Sequence, residues 1–184
     1  MNALQRVREA VHDGNLLART SLIAIDGPTA AGKTTLAAHL APMLGAQVVA
    51  VDQLSAPGSR PWEWQRFRDE IWVPLAAGRS VRYQRHHWTQ PEPGEFAALE
   101  PGRPVILEGL RSSIAELGNI TDLVVWVDAP DDVRVERARA RDPQRFACWS
   151  TNWRPIEEEW LAADDPRARA DLVVSGLDPL FLVR

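Results

Sequence analysis

The stretch Ser21 to Leu36, SLIAIDGPTAAGKTTL, holds the residues whose spacing is most specific to a chemistry. An apolar run from Leu22 to Ile25 leads into an acid, then Gly27, then Gly32, Lys33 and Thr34, which spells the G-x-x-x-x-G-K-[ST] phosphate-binding loop. The glycines let successive N–H groups turn inward around an anion, and the helix that follows adds the positive end of its dipole. In such a loop Lys33 reaches the β- and γ-phosphates and the Thr34 hydroxyl holds Mg²⁺. The implied ligand is a nucleoside triphosphate, with Gly27, Pro28, Thr29, Ala30, Ala31, Gly32, Lys33, Thr34 and Thr35 as its candidate binding residues. The bland alternative is a glycine-rich turn that holds a lysine by accident. Composition argues against that: of 21 basic residues, 20 are arginine and the one lysine is Lys33. The compact ammonium is kept for the place where a phosphate oxygen needs a point charge rather than a planar fork.

Three further groups carry potential chemistry. Asp52 follows the apolar run VVAV, and in a parallel strand-helix-strand unit the carboxyl ends of strands are where ligands bind, so Asp52 is aimed at the phosphates. Its competing reading is a turn or cap acid. Glu108 follows Val105 to Leu107, the pattern of an acid that orders Mg²⁺ and its waters downstream of a phosphate loop. Arg134, Arg137 and Arg141 share one face of a helix and can converge on a phosphate chain, with a solvated basic face as the equal alternative. His86 and His87 are adjacent, so on a strand they point to opposite faces and cannot chelate one metal together. His86 and Trp88 suit stacking or hydrogen bonding against a flat organic substrate, or simple packing.

The elements that must position these groups follow from periodicity. Leu4, Val7 and Val11 predict a first helix from Ala3 that ends near Asp13-Gly14. Leu36, Leu40 and Leu44 predict a core-facing helix from Lys33 that stops at Gly45. Trp62 to Ala77 reads as a helix, with Trp64, Phe67, Ile71, Trp72 and Leu75 on one side and a disturbance at Pro74. The excursion from Arg79 to Pro104 is too long for an idle connection and predicts a flap or a small hairpin. Arg111 to Leu117 reads as a short helix, and Asp122 to Asp128 as a strand. A helix with Pro130 in its first turn then runs to Asp142-Pro143. Trp149, Trp153, Ile156 and Trp160 predict a core stripe opposite Glu157 to Glu159. Leu172 to Val174 and Phe181 to Val183 are the last strand candidates. Alternating strands and helices give a parallel α/β sandwich.

The whole chain bounds the function. At 184 residues the expectation is one domain with a substantial core. A net charge of −4 and a pI near 5.6 weigh against a nucleic-acid or anionic-membrane partner. The single cysteine, Cys148, excludes an internal disulfide framework and fits a reducing compartment. The start is charged and amphipathic, and no apolar run reaches membrane-spanning length, so the expected location is cytoplasmic.

With these residues in place, the chain resembles the uridine kinase-like group of P-loop kinases over nearly its whole length. The resemblance rests on GPTAAGKTT, the acid Asp52, Leu107-Glu108-Gly109, the run DLVVWVDAPDDVRVERARARD from Asp122 to Asp142, and ADLVVSG from Ala170 to Gly176. It implies a three-layer P-loop sandwich on a five-stranded parallel sheet, with an acceptor-side flap at 79–104 and an arginine-bearing lid at 134–150. It implies ATP and Mg²⁺ as cosubstrates and transfer of the γ-phosphoryl to a hydroxyl of a small-molecule acceptor, a nucleoside first of all. The catalytic residues it implies are Asp52 as base, Lys33, Arg137 and Arg141, with Arg134 and Arg137 also at the nucleotide. Thr34 and Glu108 fall on the metal side, and Asp52, His86, Trp88, Glu108 and Arg111 on the acceptor side, although the residues alone permit Asp52 and Glu108 to exchange the roles of base and metal-side acid. Two departures lie on the acceptor side: Gln53-Leu54-Ser55 replaces the family's aromatic pair, and His86-His87-Trp88 replaces Tyr-Asp-Phe. Kinase chemistry is therefore better supported than uridine as acceptor. A nucleoside monophosphate kinase, a kinase of another hydroxylated metabolite and a nucleotide-binding regulator without phosphotransfer stay open, as does homo-oligomer formation.

Overall fold

The computed structural model describes residues 2–55, 64–86, 92 and 94–178. The expected helix start at Trp62, the acceptor-side candidate Trp88 and the Phe181–Val183 strand lie outside them.

Five parallel strands make the central sheet: β1 (Leu22–Asp26), β2 (Gln47–Ala50), β5 (Val105–Glu108), β6 (Leu123–Asp128) and β7 (Leu172–Ser175), in the order β2-β5-β1-β6-β7. β1 is central and wholly buried, which is why it reads as an unbroken apolar run rather than an alternating one. Its register with β5 sets Ile25 beside Glu108, and its register with β6 sets Asp26 beside Trp126. The acids that end β1 and β5 therefore emerge at the same edge of the sheet. Asp52 emerges there too, in the turn Val51–Gln53 directly after β2.

One face of the sheet packs on α1 (Ala3–Asp13) and α2 (Lys33–Leu44), burying Val7, Val11, Leu36 and Leu40 against Ile23, Ile25, Ile106 and Val125. Asn2 and Gln5 close a reciprocal capping box at the start of α1, and Gly45 ends α2 at φ +60°. The other face packs Leu22, Val105 and Leu107 in one cluster with Phe67, Ile71, Leu75, Tyr83 and Leu99. Those residues come from a helical stretch and from a hairpin of β3 (Val81–Gln84) and β4 (Phe96–Leu99). The excursion expected between Arg79 and Pro104 is thus, where described, an antiparallel hairpin.

Proline leaves the same mark twice. Between α3 (Trp64–Arg66) and α4 (Val73–Ala76), residues Phe67–Trp72 form a π-helical turn just ahead of Pro74. Between α6 (Phe146–Cys148) and α7 (Arg154–Asp164), residues Trp149–Trp153 do so just ahead of Pro155. Proline has no N–H to continue the ordinary ladder, and the wider turn absorbs the mismatch.

Two expectations are corrected. Arg111 to Leu117 is not a helix: only Ala115–Leu117 forms a helical turn, because Arg111 adopts a left-handed backbone, at φ +68°, that lets its own N–H and that of Ser113 turn onto Asp26. The aromatic stripe is not a core stripe either. Trp149, Trp153 and Trp160 are half-buried and Ile156 is exposed, whereas Glu157 is only 4% exposed. The widened turn at Trp149–Trp153 rotates the register, so the helix buries an acid whose partner lies in the phosphate loop. α5 (Asp131–Arg141) runs as its prolines predict, from Pro130 to Asp142.

Candidate active site

The loop from Gly27 to Gly32 is shaped by what would collide with it. A Cβ on Gly27, where φ is +146°, would sit 2.3 Å from the Val127 carbonyl oxygen, so only glycine lets the loop lie against β6. Ala30 adopts φ +63° and Gly32 φ +115°, which turns the chain into α2. Beneath the loop Asp26 is fully buried. Its Oδ1 accepts the N–H groups of Gly27 at 2.7 Å and Arg111 at 3.0 Å, and its Oδ2 accepts the N–H and hydroxyl of Ser113 at 2.9 and 2.7 Å. Burial pushes its pKa up, while the bonds from Ser113 and Gly27 and the charge of Lys33 pull it back. Asp26 thereby staples the phosphate loop to the segment that follows β5.

Lys33 folds over this loop, its Nζ donating to the carbonyls of Gly27 at 2.7 Å and Pro28 at 2.9 Å. Desolvation lowers its pKa, and Asp26, Glu157, Glu108 and Asp52 oppose that in decreasing order. Four carboxylates thus face one ammonium, each from a different element.

The Thr34 hydroxyl lies 3.3 and 3.2 Å from the two oxygens of Glu108. Burial raises the pKa of Glu108, Lys33 and Thr34 lower it, and the neighbouring Asp52 adds to the rise. Asp52 is reached by solvent yet recessed among protein atoms. Its pKa is raised by that enclosure and lowered by Lys33 and Arg141, so the exposed end of α5 acts electrostatically on the end of β2. The backbone of His86 reaches the same place, donating to the Gln53 carbonyl at 2.9 Å.

From the opposite side α5 and α7 close on the loop. Glu157 accepts the Thr29 N–H at 2.8 Å and the Thr29 hydroxyl at 2.5 Å, and it pairs with Arg134 at 3.3 Å. Arg134 also bonds Asp131 at 2.8 Å. Arg137 donates to the carbonyls of Ala31 at 3.4 Å and Gly176 at 2.9 Å. A Cβ on Gly176 would lie 2.2 Å from the Ala31 oxygen, so the turn after β7 rests directly on the phosphate loop.

A family model described as an AAA domain matches residues 23–147, which run from β1 through α5. The chain belongs to the AAA domain family. In fold this AAA domain is similar to a Bacillus stearothermophilus protein described as a possible uridine kinase, at 18% identity and a TM-score of 0.65 over 92% of this chain and 99% of that one. It is likewise similar to a Silicibacter sp. TM1040 protein provisionally described as a fructose transport system kinase, at 20% identity and a TM-score of 0.66 over 94% of this chain and 99% of that one. No functionally curated protein matches the sequence. The α/β fold with its five-stranded parallel sheet is that of the P-loop proteins the sequence resembles. Among the described residues of the AAA domain, no helix is long and apolar enough to cross a membrane.

The AAA domain brings together Lys33, Thr34, Glu108 and Asp52, with Arg134 and Arg137 against the loop and Arg141 near Asp52. Arg111 stands apart from that cluster: its guanidinium lies over the Trp160 ring, 5.2 Å from the centroid, and its backbone, at φ +68°, serves Asp26. The donors fit the implied groups. A hydroxyl at the start of α2 and a carboxylate at the end of β5 are hard oxygen ligands of the kind Mg²⁺ takes together with phosphates and water. The loop's positive-φ turns and its lysine fit a nucleotide's phosphates. Sequence reasoning missed the roles of Asp26, Ser113 and Glu157. An acid directly before the phosphate loop was a signal for the first. Glu157 had none, because its register depends on the π-helical turn.

Proposed function

We propose that this AAA domain is an ATP-dependent kinase that transfers the γ-phosphoryl group to a hydroxyl of a small molecule, with a nucleoside as the acceptor that the resemblance implies. The observation that supports it most is the grouping of Lys33, Thr34, Glu108 and Asp52 at one edge of the sheet, with ammonium, hydroxyl and two carboxylates drawn from two strand ends and one helix start.

In this reading Lys33 exchanges the Gly27 and Pro28 carbonyls for phosphate oxygens. Mg²⁺, when bound, neutralises phosphate charge, and Thr34 and Glu108 are the residues that would hold it. Asp52 accepts the proton of the acceptor hydroxyl. The acceptor oxygen then forms its bond to the γ-phosphorus while the bond to the bridging oxygen breaks and ADP leaves. Arg137 and Arg141 stabilise the charge spread over the transferred group. The flap is the hairpin region and the lid the α5–α6 region.

ATP binding followed by calorimetry, with acceptor-dependent ADP release alongside, tests the reading. Wild type binds ATP and releases ADP with an acceptor, Lys33→Met loses both, and Asp52→Asn keeps ATP binding but loses turnover. Tight ATP binding with no acceptor-dependent release across a broad panel would instead favour a nucleotide-binding regulator.

A further inference from the structure

The hairpin that borders the acceptor side ends in two polar groups that the fold itself leaves unused. Beyond Gln84 the ladder continues irregularly: Arg85 N–H donates to the Glu95 carbonyl at 3.0 Å, and Gly94 N–H donates to the Arg85 carbonyl at 2.8 Å. Gly94 and Glu95 of the returning strand thus both oppose Arg85, a bulge in that strand which leaves the alternation of the Arg85 strand intact. The bulge is fastened to the Asp52 turn by two links. His86 N–H bonds the Gln53 carbonyl, and the Arg66 guanidinium bonds the Leu54 carbonyl at 2.7 Å and the Gln84 carbonyl at 2.9 Å.

Along β3 the buried residues Val81 and Tyr83 alternate with exposed Arg82, which places Arg85 on the Tyr83 side. Tyr83 is 3% exposed and belongs to the same core cluster as Val51 and Leu54, the residues that flank Asp52-Gln53. Its hydroxyl is buried with no hydrogen-bond partner, and so is the Nε of Arg85. The neighbouring arginines are engaged: Arg66 with two carbonyls and Glu70, Arg68 with Asp69, and Arg82 over the Phe96 ring. Residues two apart on one face of a strand stand roughly 7 Å from each other, a span that one multi-oxygen group can bridge. A guanidinium Nε only donates, and its charge is permanent, so the group that satisfies it must be an oxygen acceptor and gains most if it is anionic.

We propose that Tyr83 and Arg85 form the anion-reading end of the acceptor site, and that the acceptor is a small hydroxylated molecule bearing a carboxylate or phosphate group. This rests on the kinase reading for the same site and narrows its acceptor class.

The test measures acceptor-dependent ADP release and calorimetric binding with matched neutral and anionic pairs: uridine and uridine monophosphate, ribose and ribose 5-phosphate, glycerol and glycerate. In wild type the anionic member of at least one pair exceeds its neutral partner in kcat/KM by roughly tenfold or more. In Arg85→Gln and in Tyr83→Phe that ratio falls toward one, chiefly through KM, and Arg85→Lys restores part of it. Which pair responds separates phosphate from carboxylate. Preference for the neutral member in every pair, or variants that leave the ratio intact, overturns the proposal and leaves the kinase reading standing. Should no acceptor turn over, the kinase reading falls and calorimetry decides the anion site: binding of an anionic member that is lost in Arg85→Gln upholds it, and no binding overturns it.

Discussion

Thr29 and Glu157 are joined twice, backbone N–H to one carboxylate oxygen and hydroxyl to the other, although 128 positions separate them in sequence. A protein carboxylate therefore sits among the amides of a loop built for phosphate, and its charge is one of those that Lys33 feels. Glu157→Gln is expected to destabilise the free protein by ~1–3 kcal/mol, because a buried ionic network loses one partner. The same change removes a negative charge beside the phosphates, so the rise in melting temperature on adding Mg-ATP grows. Thermal unfolding with and without nucleotide checks both parts.

Thr34 and Glu108 predict the metal dependence. Glu108→Gln is expected to raise the Mg²⁺ concentration for half-maximal ADP release by roughly tenfold or more, with ATP binding in the absence of metal little changed. An unaltered Mg²⁺ titration would remove Glu108 from the metal side.

The pH dependence follows from the directions of the shifts. Asp52 ionises above the ordinary carboxylate range and Lys33 loses its proton below the ordinary lysine range, so kcat/KM for ATP traces a bell drawn in from both sides. The Arg141 cation holds the Asp52 pKa down, so Arg141→Gln moves the acidic limb to higher pH. For stability the sign is opposite to that of an ordinary ion-paired acid. Asp26, Asp52 and Glu108 have raised folded-state pKa values, so the stability tied to their protonated forms is present below the usual carboxylate range and is lost as pH rises through the raised values. Unfolding midpoints measured across acidic to neutral pH check this.

Backbone geometry gives a stability test that leaves charge alone. Ala30 holds a left-handed conformation that costs an L-residue roughly 1 kcal/mol, so Ala30→Gly is expected to stabilise the protein by about that amount or less. Gly109→Ala works in the other direction. At φ +137° its new Cβ would lie 2.9 Å from the Val51 Cβ, so it strains the backbone and pushes the residue before Asp52, with a loss of about 2 kcal/mol and lower turnover. Denaturant melts of the two variants check them.

The parallel core was legible because each strand announced itself as a short apolar run closed by an acid or glycine, and because Leu36, Leu40 and Leu44 kept a strict helical period. Local spacing fixes such features. The failures lie where one side chain overrides local preference. Arg111 to Leu117 reads as a helix, yet Arg111 turns left-handed as its N–H and that of Ser113 bond the buried Asp26. Trp149 to Trp160 has an aromatic period, yet Pro155 forces a wider turn and hands the buried face to Glu157. At the site, the chain's own motifs pointed to Lys33, Thr34, Asp52 and Glu108, whereas Asp26 and Glu157 act through partners remote in sequence.

A chain with a single lysine has a single side-chain amine open to acylation. Lys33 is buried and its proton is weakly held, so its neutral, nucleophilic form is more abundant than in an ordinary lysine while access to it is restricted. Reagents that carry an anionic tail into the loop would therefore mark one position and leave the twenty arginines untouched. The lysine proposed to grip the phosphates doubles as a built-in chemical handle, and any shielding by nucleotide can be followed by mass alone.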